Sequence, residues 1–230
     1  MNIILITTGG RPDLLKQSLE SLCQNAADWS KHTLTLVLDT PEQLDGFGLP
    51  GISTYIVNVN RAGASASRNI GASSIPKYRR QEHVCFLDDD VYACPKWDEK
   101  LEDLAKAYPR AIVSGHAHPF NQDEPAIALG FPPCRIPLLI STVNMVMPWS
   151  LWDDVDFFVE PGGPGGSEDY DYCMRAKAKG YRFAVTDPHC IVHCGLTSSR
   201  GQQIVGYDLV MAKNKELVKN YGLEGKVVFG

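Results

Sequence analysis

The 230-residue chain has no apolar run approaching the roughly eighteen residues that a membrane-spanning helix needs. Its longest candidate, IPLLISTVNMVMPW, is broken by polar residues and proline. The opening MNIILITTGG lacks the basic n-region of a secretory leader, and its apolar stretch is too short for one. No two cysteines have C-x-x-C spacing, and the seven are odd in number and scattered, which argues against a disulfide framework. An excess of positive charge is missing too. Lys and Arg total 22 against 27 Asp and Glu, a net charge of −5, so a surface built to neutralise nucleic-acid phosphates is not expected. Internal repeats, low-complexity tracts and obvious linkers are absent. What remains is the expectation of a soluble, reduced, cytoplasmic protein folded as one domain over residues 1–230.

What is present alternates between the periods of strand and helix. NIILITT is a short β-rich run ending at Gly9-Gly10, and Pro12 suits the first turn of a following helix. Leu15, Leu19 and Leu22 then recur at helical spacing, which predicts a helix over 12–24. TLTLVLDT, STYIVNVN and HVCFLDDD read as further strands. AGASASRNIGAS reads as a small-residue helix able to approach a sheet closely. Trp97, Leu101, Leu104, Ala105 and Tyr108 share one face of an amphipathic helix, followed by the strand AIVSG. The second half is less regular. It offers the strand ISTVNMVMP, a glycine-rich loop entering a helix capped by Ser167 and stopped by Gly180, the short strands RFAVT and CIVH, and a final helix within IVGYDLVMAKNKELVKNYG. Strands alternating with helices predict an α/β fold with a mostly parallel central sheet.

Carboxylates gather at strand ends, where ligands of open α/β sheets bind. Asp39 closes the second strand, and Asp88, Asp89 and Asp90 close the fourth. Adjacent carboxylates repel, and a hard dication held by one or two of them plus substrate phosphates removes that cost. On an extended chain Asp88 and Asp90 share a face. These two are expected to face the ligand, whereas Asp89 is expected to cap, pair with a basic side chain or stay solvated, and to be dispensable. A capped helix or polar turn is the competing explanation of this cluster. Glu168 and Asp169 sit in the first turn of a predicted helix, where the macrodipole favours negative charge; the functional alternative is a general base beside a loop that lets substrate approach. His189 and His193 each precede a cysteine, but their spacing matches no familiar zinc module. The Asp-x-Asp of aspartate-nucleophile phosphatases belongs on a first strand and wants Thr or Val where this chain has Tyr92.

Taken in order, IILITTGGRPDLLKQSLESL, the Asp39 that ends LTLVLD, NRAGASASRNIGA, FLDDDV, VNMVMPWSLWDDVDFFVE, GSEDYDYCMRAKAKGYRF and IVHCGLTS resemble the successive motifs of a family 2-type glycosyltransferase of the GT-A fold. The resemblance runs from the N-terminus to about residue 200. It implies a Rossmann-like single domain whose residues 1–115 bind a nucleotide sugar and whose residues 116–230 bind an acceptor. It also implies a UDP-sugar donor, Mn2+ or Mg2+, and inversion at the anomeric carbon. In that scheme Asp39 bonds the base, Thr8, Arg11, Arg68 and Asn69 lie by the nucleotide, and Arg68 is a candidate partner for Asp88. Asp88 faces the ribose or donor sugar, with Asp89 in the same nucleotide-binding set. Asp90 holds the metal, which His193 completes or approaches. Asp169 takes the acceptor proton, and Glu168 positions the acceptor or donor. Arg200 is either a diphosphate clamp or an exposed surface arginine. Trp149 and Trp152 either line the acceptor pocket or belong to the core. The acceptor hydroxyl is that of a glycan, small molecule, protein or hydroxylated DNA base, the last motivated by the basic PKYRRQ segment with Lys77, Arg79 and Arg80. A non-catalytic module that binds sugar nucleotides or glycans is the alternative.

Overall fold

The computed structural model describes residues 1–7, 11–38, 52–57, 63–116, 134, 135, 137, 139–159, 168–195, 215, 216, 218–220, 222 and 224–226. Thr8, Asp39, Ser167, Arg200 and most of the expected final helix lie outside them. The elements in chain order are β1 (Asn2–Ile6), α1 (Pro12–Asn25), β2 (Thr33–Leu38), β3 (Ile52–Val57), α2 (Ala64–Ser73), β4 (His83–Asp88), β5 (Val91–Ala93), α3 (Trp97–Ala107), β6 (Ala111–Ser114), β7 (Cys134–Arg135), β8 (Asn144–Pro148), α4 (Trp149–Val155), α5 (Glu168–Ala178), β9 (Arg182–Thr186) and β10 (Ile191–His193). Eight strands form one sheet in the order β3-β2-β1-β4-β8-β6-β9-β7, and β5 pairs with β10 beside it. The run β3-β2-β1-β4 is parallel, whereas β8 is antiparallel to both of its neighbours. Among the described residues no helix is long and apolar enough to cross a membrane.

Burial on both faces explains the unbroken apolar reading of the central strands. Ile3 and Leu5 of β1 pack on one side with Leu15, Leu19 and Leu22 of α1 and Leu101 and Leu104 of α3. Ile4 and Ile6 point the other way, toward Ala72 of α2, Phe86, Trp152 and Tyr172. Trp149 and Trp152 are core residues, 6% and 4% exposed, and Trp149 Nε1 donates to Asn2 Oδ1 at 2.9 Å.

The small residues of α2 permit the close approach that the sequence suggested. A Cβ on Gly71 would stand 2.5 Å from Ile4 Cγ2 and 3.1 Å from Val37 Cγ2. Overpacking of this kind costs about 1–3 kcal/mol, so Gly71→Ala should lower the urea midpoint without altering the slope of the transition. No change in midpoint would show that the sheet side chains repack freely.

A second stability prediction concerns Asp98, at the start of α3. Its carboxylate accepts from the backbone N–H groups of Ala27 (2.7 Å) and Asp28 (3.3 Å) and lies 3.0 Å from His32 Nε2. Burial disfavours its charge, but the His32 bond and the backbone N–H groups outweigh burial and bring its pKa down to about 2. A carboxyl lowered on folding stabilises above its unfolded value and loses that effect as pH falls through its folded value. Asp98→Asn should therefore cost about 1–2 kcal/mol at neutral pH, and the wild type should lose the same contribution between about pH 4 and about pH 2. Urea melts across that range check it; equal pH dependence in both proteins would contradict it.

The Lys77–Arg80 segment lies at the amino end of β4, a strand's length from Asp88. Arg80 is already engaged: both oxygens of Asp153 are 2.9 Å from Nη1, and the guanidinium stacks 4.2 Å from the Trp149 ring centroid. This removes Arg80 from the basic patch and places the patch away from the strand-end carboxylates.

Candidate active site

The sheet order reverses at β1, with β2 and β3 on one side and β4 on the other. A crevice outside the carboxyl ends of the strands at such a switch is the general ligand site of open α/β sheets. Asp88 ends β4 in register with Ile6, the last residue of β1. The backbone then turns at Asp89 and Asp90 before β5 begins. Strand alternation therefore stops at Asp88, and the expected shared face of Asp88 and Asp90 gives way to a different partition. Asp88 joins Arg68, whose Nη2 is 2.5 Å from Asp88 Oδ1. Asp89 and Asp90 both join Arg11, with Nη2 to Asp89 Oδ1 and Nη1 to Asp90 Oδ2 each at 2.7 Å. Asp89 pairs with a basic side chain, one of the three expected alternatives, but it is not directed away from Asp90: it is 1% exposed and shares the Arg11 guanidinium with it.

Helix α1 holds this turn from beneath through a polar stripe. Val91 N–H donates to Ser18 Oγ at 2.9 Å, and the hydroxyl lies 2.7 Å from the carbonyls of Asp89 and Val91. Farther along, Ala93 N–H donates to Ser21 Oγ, and Asn25 Nδ2 donates to the Ala93 carbonyl. The sequence reading missed these three residues, although 18, 21 and 25 recur at helical spacing beside the leucine stripe. They satisfy backbone groups that β5 would otherwise bury unpaired.

His193 approaches from β10, whose end pairs with Val91. Its Nε2 is 3.4 Å from Asp90 Oδ2, and its ring meets that of the buried His116 edge-on at 5.7 Å. Nothing in the sequence pattern singled out His116. Gly195 closes the corner: a Cβ there would overlap Asp90 Oδ2 and come within 2.9 Å of Arg11 Nη1. His189 falls in the irregular connection between β9 and β10.

Arg68 draws the second acidic motif to the first. It is 1% exposed, and its Nη1 lies 3.4 Å from Glu168 Oε1 while Nη2 holds Asp88. Thr142 Oγ1 is also 3.4 Å from Glu168 Oε1. The neighbouring Asn69 does not reach outward. Its amide N–H donates to the Phe158 carbonyl and its oxygen accepts from Phe158 N–H, both at 2.9 Å, which pins Phe158 beneath Arg68. Asp169 follows Glu168 at the start of α5, and its Oδ1 accepts from Tyr170 N–H at 2.8 Å.

Burial and Asp90 push Asp89 up to about 7, against the pull of Arg11. Burial acts on Asp90 in the same sense, but His193 and Arg11 outweigh it and hold this carboxyl well below the usual range. Burial lowers His193, yet Asp90 and Asp88 more than compensate and raise it above its ordinary value. Among the described residues, Asp89 Oδ2 and Asp90 Oδ1 are buried without a hydrogen-bond partner. An orphaned pair of carboxylate oxygens beside an imidazole suits a hard dication. Among the described residues no three His, Cys, Asp or Glu side chains gather closely enough to hold a metal ion by themselves.

Comparison with known proteins bears on the family and the fold. The model of the family described as Glycosyl transferase family 2 matches residues 3–158. GalNAc-T7, crystallised with UDP, GalNAc and Mn2+, superposes with a TM-score of 0.66 at 12% identity, covering 84% of this chain and 43% of that one. TarS from S. aureus superposes at 0.60 and 16% identity, covering 98% and 41%. The 1-349 portion of TarS gives 0.58 and 18%, covering 83% and 59%. At these identities the likeness is one of fold, and the chain spans between 41% and 59% of these proteins. No curated protein sequence matches it.

Proposed function

The chain belongs to glycosyl transferase family 2, and from that premise we propose that it transfers a sugar from a nucleoside-diphosphate donor to an acceptor hydroxyl, with inversion. The observation that carries this reading is the Arg68 guanidinium spanning Asp88 and Glu168. It joins a strand-end carboxylate cluster to a helix-start carboxylate pair from distant parts of the sequence. Binding alone needs no carboxylate poised as a base, and Asp169 stands next to the residue that Arg68 fixes.

In this reading Asp90 would hold Mn2+ or Mg2+, with His193 beside it; Asp90 Oδ1, which has no hydrogen-bond partner among the described residues, is the oxygen it would offer. When bound, such an ion neutralises charge on the departing diphosphate. Asp88, anchored by Arg68, faces the ribose or donor sugar. Glu168, held by Arg68 and Thr142, positions the acceptor. Asp169 accepts the acceptor's hydroxyl proton as that oxygen attacks the anomeric carbon from the face opposite the leaving diphosphate. Thr8, Asp39 and Arg200 keep their proposed places by the nucleotide. Asn69 acts through Phe158 as a positioning residue. UDP is the proposed donor nucleotide, since the superposed GalNAc-T7 binds it together with Mn2+.

A thermal-shift screen of nucleotide sugars, each with Mn2+ and with EDTA, tests this reading. One nucleotide sugar should raise the melting temperature with Mn2+, and EDTA should remove the effect. No shift with any nucleotide would contradict the proposal.

A further inference from the structure

We propose that the Arg11 guanidinium is a built-in counter-cation of the Asp89–Asp90 turn, displaced only when a divalent cation and a diphosphate arrive together. Metal binding is then tight only in company with nucleotide. The inference rests on the metal-dependent reading above and concerns how that same site is controlled.

The geometry is that of an occupied cation position. Each carboxylate gives one oxygen to Arg11 at 2.7 Å and keeps one buried oxygen without a partner among the described residues. The bond to Asp90 uses Oδ2, the same oxygen that His193 Nε2 approaches. Gly195 packs against this pair so closely that even a methyl group would displace it. Asp90 therefore has no free direction on that side, and a metal must come to Oδ1 beside a full positive charge. Like charges in a buried setting are poorly screened, so a dication and Arg11 oppose each other on this turn.

A diphosphate resolves the conflict. Arg11 is 21% exposed in its side chain, whereas Asp89 and Asp90 are 2% and 6% exposed. The carboxylates are fixed, and the guanidinium is the partner with access to solvent. A planar fork that binds two carboxylate oxygens is equally suited to two phosphate oxygens. Arg11 thus has a destination that becomes available only with the nucleotide. Before then it offsets the repulsion of the adjacent carboxylates.

The test is a titration of Mn2+ followed by electron paramagnetic resonance of the free ion, on wild type and Arg11→Gln, with and without UDP. Wild type should bind Mn2+ weakly alone and about tenfold or more tightly with UDP, a typical coupling between linked sites. Arg11→Gln should bind Mn2+ alone about tenfold more tightly than wild type, and its gain on adding UDP should shrink correspondingly. Arg11→Lys, whose point-charge ammonium lacks the two-pronged fork that Arg11 presents to the pair, should fall between the two and decides the matter if the Gln variant does not fold. Mn2+ affinity in the absence of UDP that is unchanged or weaker in the folded variant overturns the inference while leaving the metal reading intact. Absence of Mn2+ binding by wild type even with UDP overturns both.

Discussion

Replacing Asp169 with Asn should lower kcat by about a hundredfold to ten-thousandfold while leaving nucleotide binding unchanged, the range expected for loss of a general base. That is about 3–5 kcal/mol of transition-state stabilisation. Asn is the informative substitution because its side-chain oxygen can still accept from Tyr170 N–H, the bond that Asp169 Oδ1 makes. Helix α5 should keep its start and Glu168 its place under Arg68. What the variant loses is the ability to take a proton. The check is a steady-state measurement of kcat together with UDP affinity by calorimetry. Full activity in the variant would assign the proton to another group. Lost nucleotide affinity would mean that Asp169 has a binding role instead.

The second large effect separates Asp90 from Asp89. Asp90→Ala should abolish Mn2+-dependent turnover and also destabilise the fold, because Arg11 and His193 lose the oxygen they share. Breaking a buried ion pair costs about 3–5 kcal/mol. Arg11 keeps Asp89 and some solvent exposure, so about 1–3 kcal/mol is the appropriate expectation here. Asp89→Ala should cost similar stability, since it ends on the same guanidinium, yet it should leave the requirement for Mn2+ in place. Thermal melts combined with Mn2+ titration of activity distinguish the two variants. Loss of the metal response in Asp89→Ala with its retention in Asp90→Ala would reverse the assignment of the metal-facing carboxylate.

This contrast shows where the sequence was readable and where it was not. The strands β1, β2, β4, β6 and β9 follow from short apolar runs, the helices α1 and α3 from apolar spacing and α2 from its small residues, because the strands build one buried sheet and the helices cover its faces. The convergence of Asp88 with Arg68 was also legible, through resemblance. Period-two reasoning failed at Asp89 because β4 ends one residue earlier, and the hydrogen bonds that bend the chain there come from Ser18 on a different element. The link between Arg68 and Glu168 spans 100 residues, beyond the reach of any local pattern. Asn69 lay in the right motif, but both of its polar atoms are used by Phe158. The tryptophans resolved in favour of packing: Trp152 stacks among Phe86, Phe158 and Tyr172.

The same geometry bears on the acceptor. Arg80 is committed to Asp153 and Trp149 and lies at the far end of β4, which leaves Lys77 and Arg79 as the remaining charges of the basic segment that motivates a DNA acceptor. Around the proposed base, Glu168 precedes it, with Thr142 Oγ1 3.4 Å from Glu168 Oε1, and Tyr170, whose backbone N–H bonds Asp169, has an exposed ring.

The most direct test of the central claim is release of UDP from UDP-sugars by the purified protein, measured with Mn2+, with EDTA, and with Asp169→Asn. The account predicts Mn2+-dependent release by wild type that EDTA stops and Asp169→Asn nearly eliminates, although the variant still binds UDP. Tight UDP binding by both proteins with release by neither, whatever acceptor is supplied, would contradict it and leave a sugar-nucleotide-binding module of the same fold.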